Sequence, residues 1–274
     1  MSCRPFLLRP SRTCLAPTTT GSSTGSRPLP DDDRPLLVLH GNCQAESLRL
    51  LLQRAPQAPC LSVRIPPLHE IAVDEIHCLE RLLARCAVLL TQPVADGYHD
   101  LRPPAVPHHD LRTVLRAAGL PSAPPLDSAH LDTVTTWSTQ ALRQEKAADA
   151  VPVHNLLRAA RTRAANTINH PGNPVLVGMA RRVQRTLAWP ETAVDPGYEM
   201  LGSVLAPLER EVRDAVDPDA DSRPDWMVDG LPVTDASIAA AQLGWYRERP
   251  DVVRVVLSRA AEQLQCLGVD RRPT

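Results

Sequence analysis

Cys43 stands in the run Gly41-Asn42-Cys43-Gln44, directly after the apolar stretch 35–40. An apolar run closed by a glycine reads as a buried strand and its exit turn. Leu48, Leu51 and Leu52, with Ala45 one turn earlier, then recur at helical spacing, so a helix is predicted over 43–54. Asn42 is typed as its N-cap, and Glu46 falls in the first turn, where a carboxylate suits the helix dipole. Cys43 is thus expected at a helix N-terminus beyond the carboxyl end of a strand, the edge at which open α/β sheets bind ligands. Free N–H groups and the positive helix end are expected to lower its pKa from the ordinary value of about 8.5. The thiolate is then a nucleophile, and nearby amides can stabilise an oxyanion. Gly41 allows close backbone approach; Asn42 and Gln44 add side-chain amides. The alternative is a strand-to-helix turn with a partly buried, inert thiol.

A second polar stretch, Asn166-Thr167-Ile168-Asn169-His170-Pro171-Gly172-Asn173-Pro174, is punctuated by Pro and Gly and is predicted to be a loop between two helices. Nothing in packing demands Asn169 and His170 side by side. His170 is a candidate base for Cys43, since imidazole titrates near neutral pH; the competing reading is a surface histidine in a turn. Asn173 is expected to cap the following helix, with Pro174 at its first position. Gln92 ends a later apolar run and would share the sheet edge with Cys43, either donating to a carbonyl or oxyanion or merely closing the strand before Pro93. His40 sits at a strand end, as a supporting group or as core. His108 and His109 have no partners at metal-ligand spacing, and no metal site is expected. The arginines at 158, 161, 163, 181, 182 and 185 read as solvated helix faces that could also meet an anionic ligand.

Composition narrows the chemistry. The 274 residues carry 30 basic and 31 acidic side chains, a balance that argues against nucleic-acid binding through a global positive field. Lys146 is the only lysine and follows no phosphate-binding loop, which excludes P-loop phosphoryl transfer. No apolar run reaches the roughly 18 residues of a spanning helix, so no membrane partner is expected. Seven cysteines, odd in number and without a CxxC pair, suit a reducing cytoplasm rather than a disulfide framework.

The elements that must position these residues alternate. Strands are predicted over 35–40, 61–65 and 87–91, with helices over 43–54 and 74–85 between them. That order implies parallel crossovers and an open, mostly parallel α/β sheet. A helix over 108–118 follows, then a weak loop-like stretch. Beyond residue 151 the pattern is helical, over 153–163, 174–187, 200–216, 238–246 and 252–267. Residues 1–33, rich in Ser, Thr, Pro and Arg, read as a disordered tail. The remainder, 34–274, is expected to be a single domain, α/β to about residue 135 and mainly helical from about 136.

GNCQAESL after an apolar strand, TQPV at a later strand end, INHPGN before a helix and GSVLAPLEREV further on together resemble the WcbI-like polysaccharide biosynthesis acetyltransferases. The similarity runs in order across roughly residues 35–255, and GNCQ with INHP is the specific part. It implies coenzyme A binding, with acetyl-coenzyme A as co-substrate, and acetyl transfer to a sugar hydroxyl in capsule synthesis. Position by position it points at Gly41, Asn42, Cys43 and Gln44, at Gln92, and at Asn169 and His170. The stretch 112–136 departs from the family pattern, being Ala/Pro-rich where an aromatic loop is usual, which leaves the acceptor open between a saccharide and another small molecule.

The functional expectation is therefore coenzyme A-dependent acyl transfer, with Cys43, His170 and Gln92 catalytic and Gly41, Asn42, Gln44 and Asn169 holding the co-substrate. The nucleophile following the first strand also looks like the SGNH hydrolases, with Cys in place of Ser. Two alternatives follow: an esterase or thioesterase, and a non-catalytic module binding coenzyme A or a nucleotide.

Overall fold

The computed structural model describes residues 15–16, 27–28, 33–67, 71–91, 111–120, 129, 132–133, 135–136, 151–167, 169–266 and 268–269. The chain divides into two compact units: residues 1–103 with 176–200, and residues 104–175 with 201–274. Most of the segment expected to be a disordered tail lies outside the described residues; within it Leu15–Ala16 pairs antiparallel with Arg27–Pro28.

The first unit is built on a parallel sheet of β1 (Leu36–His40), β2 (Leu61–Ile65) and β3 (Cys86–Thr91), in the order β2-β1-β3. Helices α1 (Cys43–Arg54) and α2 (Ile76–Arg85) make the crossovers. β1 is central and every residue of it is buried. That is why Leu36-Leu37-Val38-Leu39 is continuously apolar rather than alternating. Along β2, Ser62 and Arg64 face one side and Val63 and Ile65 the other, by the strand period of two. Ser62 Oγ donates to the Arg49 carbonyl and to Gln53 Oε1, both on α1. Leu82 of α2 packs with Leu36, Val38, Val63 and Ile65. The two helices therefore cover opposite faces, as right-handed crossovers running in opposite directions require. The order reverses at β1, so its carboxyl end is a topological switch point.

Residues 176–200 complete this unit. Helix α5, introduced below, buries Leu176, Val177, Ala180 and Val183. Gln184, itself buried, accepts from the Ala193 N–H, and Thr192 Oγ1 donates to the Pro56 carbonyl just beyond α1.

In the second unit α3 (Leu111–Ala117), α7 (Asp235–Arg247), α8 (Pro250–Arg259) and α9 (Ala261–Cys266) share a core. Val114, Tyr246 and Val253 form one cluster; Leu115, Leu120 and Leu264 form another. The unit also holds α4 (His154–Ala160), a hairpin of β4 (Ala165–Thr167) and β5 (His170–Pro171), and the start of α5 (Asn173–Thr186).

The C-terminal half is less helical than its periodicity suggests. In place of one helix over 200–216 there is a strand, β6 (Val204–Leu205), and a short helix, α6 (Arg210–Val216). Pro207 lies between them and cannot continue a helix. β6 pairs with β7 (Trp226–Val228), which pairs with β8 (Leu231–Val233), all antiparallel. The predicted helix over 252–267 is likewise broken at Ala260.

Candidate active site

Gly41, Asn42 and Glu46 shape the strand-to-helix turn of the first unit. Gly41 is buried at φ 150°, a conformation open to glycine and closed to nearly every other residue. Asn42 caps α1: its Oδ1 accepts from the Gln44 N–H at 2.9 Å, and its carbonyl accepts from Ala45 at 3.0 Å. Glu46 occupies the first turn and forms a bidentate pair with Arg49 at 2.7 and 2.8 Å. Cys43 is half-buried as the first residue of the helix.

The thiol's electrostatics correct one expectation. Burial pushes the Cys43 thiol above its ordinary pKa. The N–H groups of Gln44 and Cys43 and the charge of Arg64 pull the other way without overcoming it. A helix N-terminus lowers a thiol pKa only while the thiolate keeps enough solvation, and here desolvation is the larger effect.

Two neighbours complete this edge. Arg64, near the carboxyl end of β2, donates Nε–H to the Gly41 carbonyl at 3.2 Å. The sequence reading overlooked it; the signal was a lone guanidinium inside the strand Leu61–Ile65. His40, the last residue of β1, is 9% exposed and its Nδ1 lies 2.9 Å from Thr91 Oγ1, across the strand pair that aligns His40 with Thr91. Its Nε2 is buried with no hydrogen-bond partner among the described residues. Burial, and then repulsion from Arg64, hold the imidazole pKa below its usual value.

The INHPG stretch is not a plain loop. Thr167 pairs with His170 and Ala165 with Pro171 in a tight hairpin. Gly172 donates its N–H to the Ala164 carbonyl at 3.0 Å, and a Cβ on Gly172 would collide with the Arg163 carbonyl oxygen. That close approach explains why glycine follows His170-Pro171. His170 is half-buried on β5, and Asn169 is exposed in the turn. α5 begins at Asn173 itself, one residue earlier than the capping role predicted for it.

Gly41, Asn42, Cys43 and Gln44 thus share one turn of the first unit, while Asn169 and His170 belong to the second. Gln92, His108 and His109 lie outside the described residues. Of the arginines on α5, Arg181 donates to the Ala193 carbonyl and Arg185 pairs with Glu191, so both have partners within the protein. Among the described residues no three His, Cys, Asp or Glu side chains converge as a metal site, and no helix is long and apolar enough to cross a membrane.

The family model described as polysaccharide biosynthesis enzyme WcbI matches residues 36–102 and 99–192, together more than half of the chain. A solved structure of WcbI, called a novel polysaccharide biosynthesis enzyme, is similar at a TM-score of 0.65 and 18% identity, over 86% of this chain and 97% of that one. It is described as the native protein without a disulfide bond between coenzyme A and one of its cysteines. That likeness shows the fold. No curated protein matches the chain.

Proposed function

The chain belongs to the WcbI family of polysaccharide biosynthesis enzymes, and from that premise we propose that it transfers an acyl group, acetyl in the first instance, from coenzyme A to a hydroxyl of a sugar or other small acceptor. The observation that carries this reading is the position of Cys43, at the N-terminus of α1 beyond the switch point of the sheet. A neutral thiol between backbone N–H groups, with the Arg64 cation beside it, suits a thioester whose carbonyl gains negative charge during transfer. The solved WcbI structure is described as lacking a disulfide bond between coenzyme A and one of its cysteines, and that mention of coenzyme A beside a cysteine supports the same ligand here.

In this mechanism His170 takes the Cys43 proton, and Sγ attacks the acyl carbon. The carbonyl electrons move to oxygen, held by the Cys43 and Gln44 amides and by Gln92, and return as the coenzyme thiolate leaves with a proton. The acceptor hydroxyl, deprotonated by His170, then attacks the acyl-Cys43 carbon and releases the Cys43 thiolate, which regains the proton. A base is required because burial keeps Cys43 protonated at neutral pH. Gly41, Asn42 and Asn169 would position the co-substrate.

The second reading gives the acyl group to water, as in the SGNH hydrolases, and is favoured by the nucleophile following the first strand. Titration calorimetry with coenzyme A and acetyl-coenzyme A, beside Cys43→Ala, tests both. Micromolar binding, with slow release of coenzyme A that needs Cys43 and speeds up when a hydroxyl acceptor takes the acyl group, is the expected result. Hydrolysis indifferent to every acceptor favours the esterase. Equal affinity in both proteins with no turnover favours a binding module, and no binding at all refutes the coenzyme A reading.

A further inference from the structure

We infer that Arg64 is a positioning residue of the Cys43 site: its Nε–H holds the Gly41 carbonyl, and its guanidinium keeps a positive charge against the thiol from outside the Gly41–Gln44 motif. The inference deepens the acyl-transfer reading and rests on it. The geometry comes first. In the parallel register Arg64 stands beside Leu39, one residue before the end of β1, and its Nε–H reaches the Gly41 carbonyl at 3.2 Å. Gly41 is the residue whose φ of 150° turns the chain from strand into helix. One side chain therefore spans from β2 to the turn that presents Cys43, and it orients the peptide immediately before the cap.

The charge has a definite task. Burial disfavours the Cys43 thiolate, and acyl transfer passes through that thiolate twice, when Cys43 attacks and when it is released. A cation that favours the thiolate offsets part of the cost without exposing the sulfur to water. Burial first, and then the same charge, disfavour a proton on His40, whose Nε2 is buried with no hydrogen-bond partner among the described residues. No other group supplies this charge among the described residues of the elements packed here. Glu46 and Arg49, on α1 itself, neutralise each other in a bidentate pair. His40, from β1, is held towards its neutral form. Tyr198 meets α1 at Arg54, the opposite end of the helix.

Charge loss and mere loosening shift the thiol in opposite directions. Removing a cation destabilises the thiolate and raises the Cys43 pKa; letting water into the turn relieves desolvation and lowers it. The experiment is peptide-resolved iodoacetamide labelling of the full chain across a pH series, which reads the Cys43 midpoint directly. Arg64→Gln is expected to raise that midpoint by about one pH unit, which is about tenfold less thiolate at neutral pH. Arg64→Lys, which keeps the charge but not the fork, should stay close to wild type. Arg64→Met retains the apolar stem and supplies the same comparison where Arg64→Gln does not fold. A midpoint that stays or falls in the uncharged variant overturns the inference, even where acetyl-coenzyme A turnover still needs Cys43. A rising midpoint in a protein that neither binds nor turns over acetyl-coenzyme A leaves Arg64 as inferred and refutes acyl transfer instead.

Discussion

Gly172→Ala separates steric placement of the His170 hairpin from general fold stability. The added Cβ would overlap the Arg163 carbonyl oxygen, which is backbone and cannot swing aside as a flexible side chain would. Gly172 is also tied through its N–H to the Ala164 carbonyl, so the two segments have to part for the methyl to fit. Its φ lies outside the left-handed region, so the whole cost is collision and none of it is backbone preference. Overpacking of this kind costs about 1–3 kcal/mol, and a backbone obstacle places it at the upper end, near 3 kcal/mol. For a protein of this size that lowers Tm by about 6–12 °C. With His170 as the base of the proposed acyl transfer, and His170-Pro171 immediately preceding the displaced residue, a shift of about 1 Å at its imidazole should also cut turnover on the order of 100-fold. Gly230→Ala is the control: Gly230 sits at φ +80° with nothing within 4 Å of a Cβ. It pays only the positive-φ strain, about 1 kcal/mol, and should leave turnover unchanged. Thermal melts and acetyl-coenzyme A hydrolysis of both variants decide the matter. A Gly172→Ala protein that melts within about 2 °C of wild type and keeps its turnover refutes the reasoning.

Two more outcomes follow. Asn42→Ala removes the side-chain acceptor of the Gln44 N–H and should destabilise the protein by about 1 kcal/mol in urea unfolding, with Asn42→Ser recovering most of it. The Cys60 thiol is 1% exposed and pushed up to about 11 by burial, so the unfolded chain loses that proton first as pH rises. Stability should be intact below about pH 9 and fall by about 2 kcal/mol between about pH 9 and 11; a slope that persists in Cys60→Ala would point to other groups.

The elements between Leu36 and Thr91 were legible because each relevant signal is local. Leucines at 48, 51 and 52 repeat at the helical period, Asn42 caps, and α1 spans the predicted 43–54. The strand 61–65 coincides as well, and 87–91 differs by one residue. The helical reading of 200–216 failed because apolar spacing around Pro207 outweighed what that proline forbids. The hairpin of β7 and β8 had a clear local signal that went unread. Asp229-Gly230 is a favoured two-residue turn, and both residues adopt positive φ. Arg64 could not be found this way, since its meaning depends on standing beside Leu39 in a register no local pattern encodes. The direction of the Cys43 shift was hidden for the same reason: the helix end is visible in sequence, whereas the burial that outweighs it is a property of the assembled sheet.

That burial gives Cys43 a form of chemical safekeeping. Peroxide, stray disulfides and electrophiles attack the thiolate, and a half-buried thiol that holds its proton offers them little of it. Sulfenic acid formation at Cys43 should therefore be slow in the resting protein.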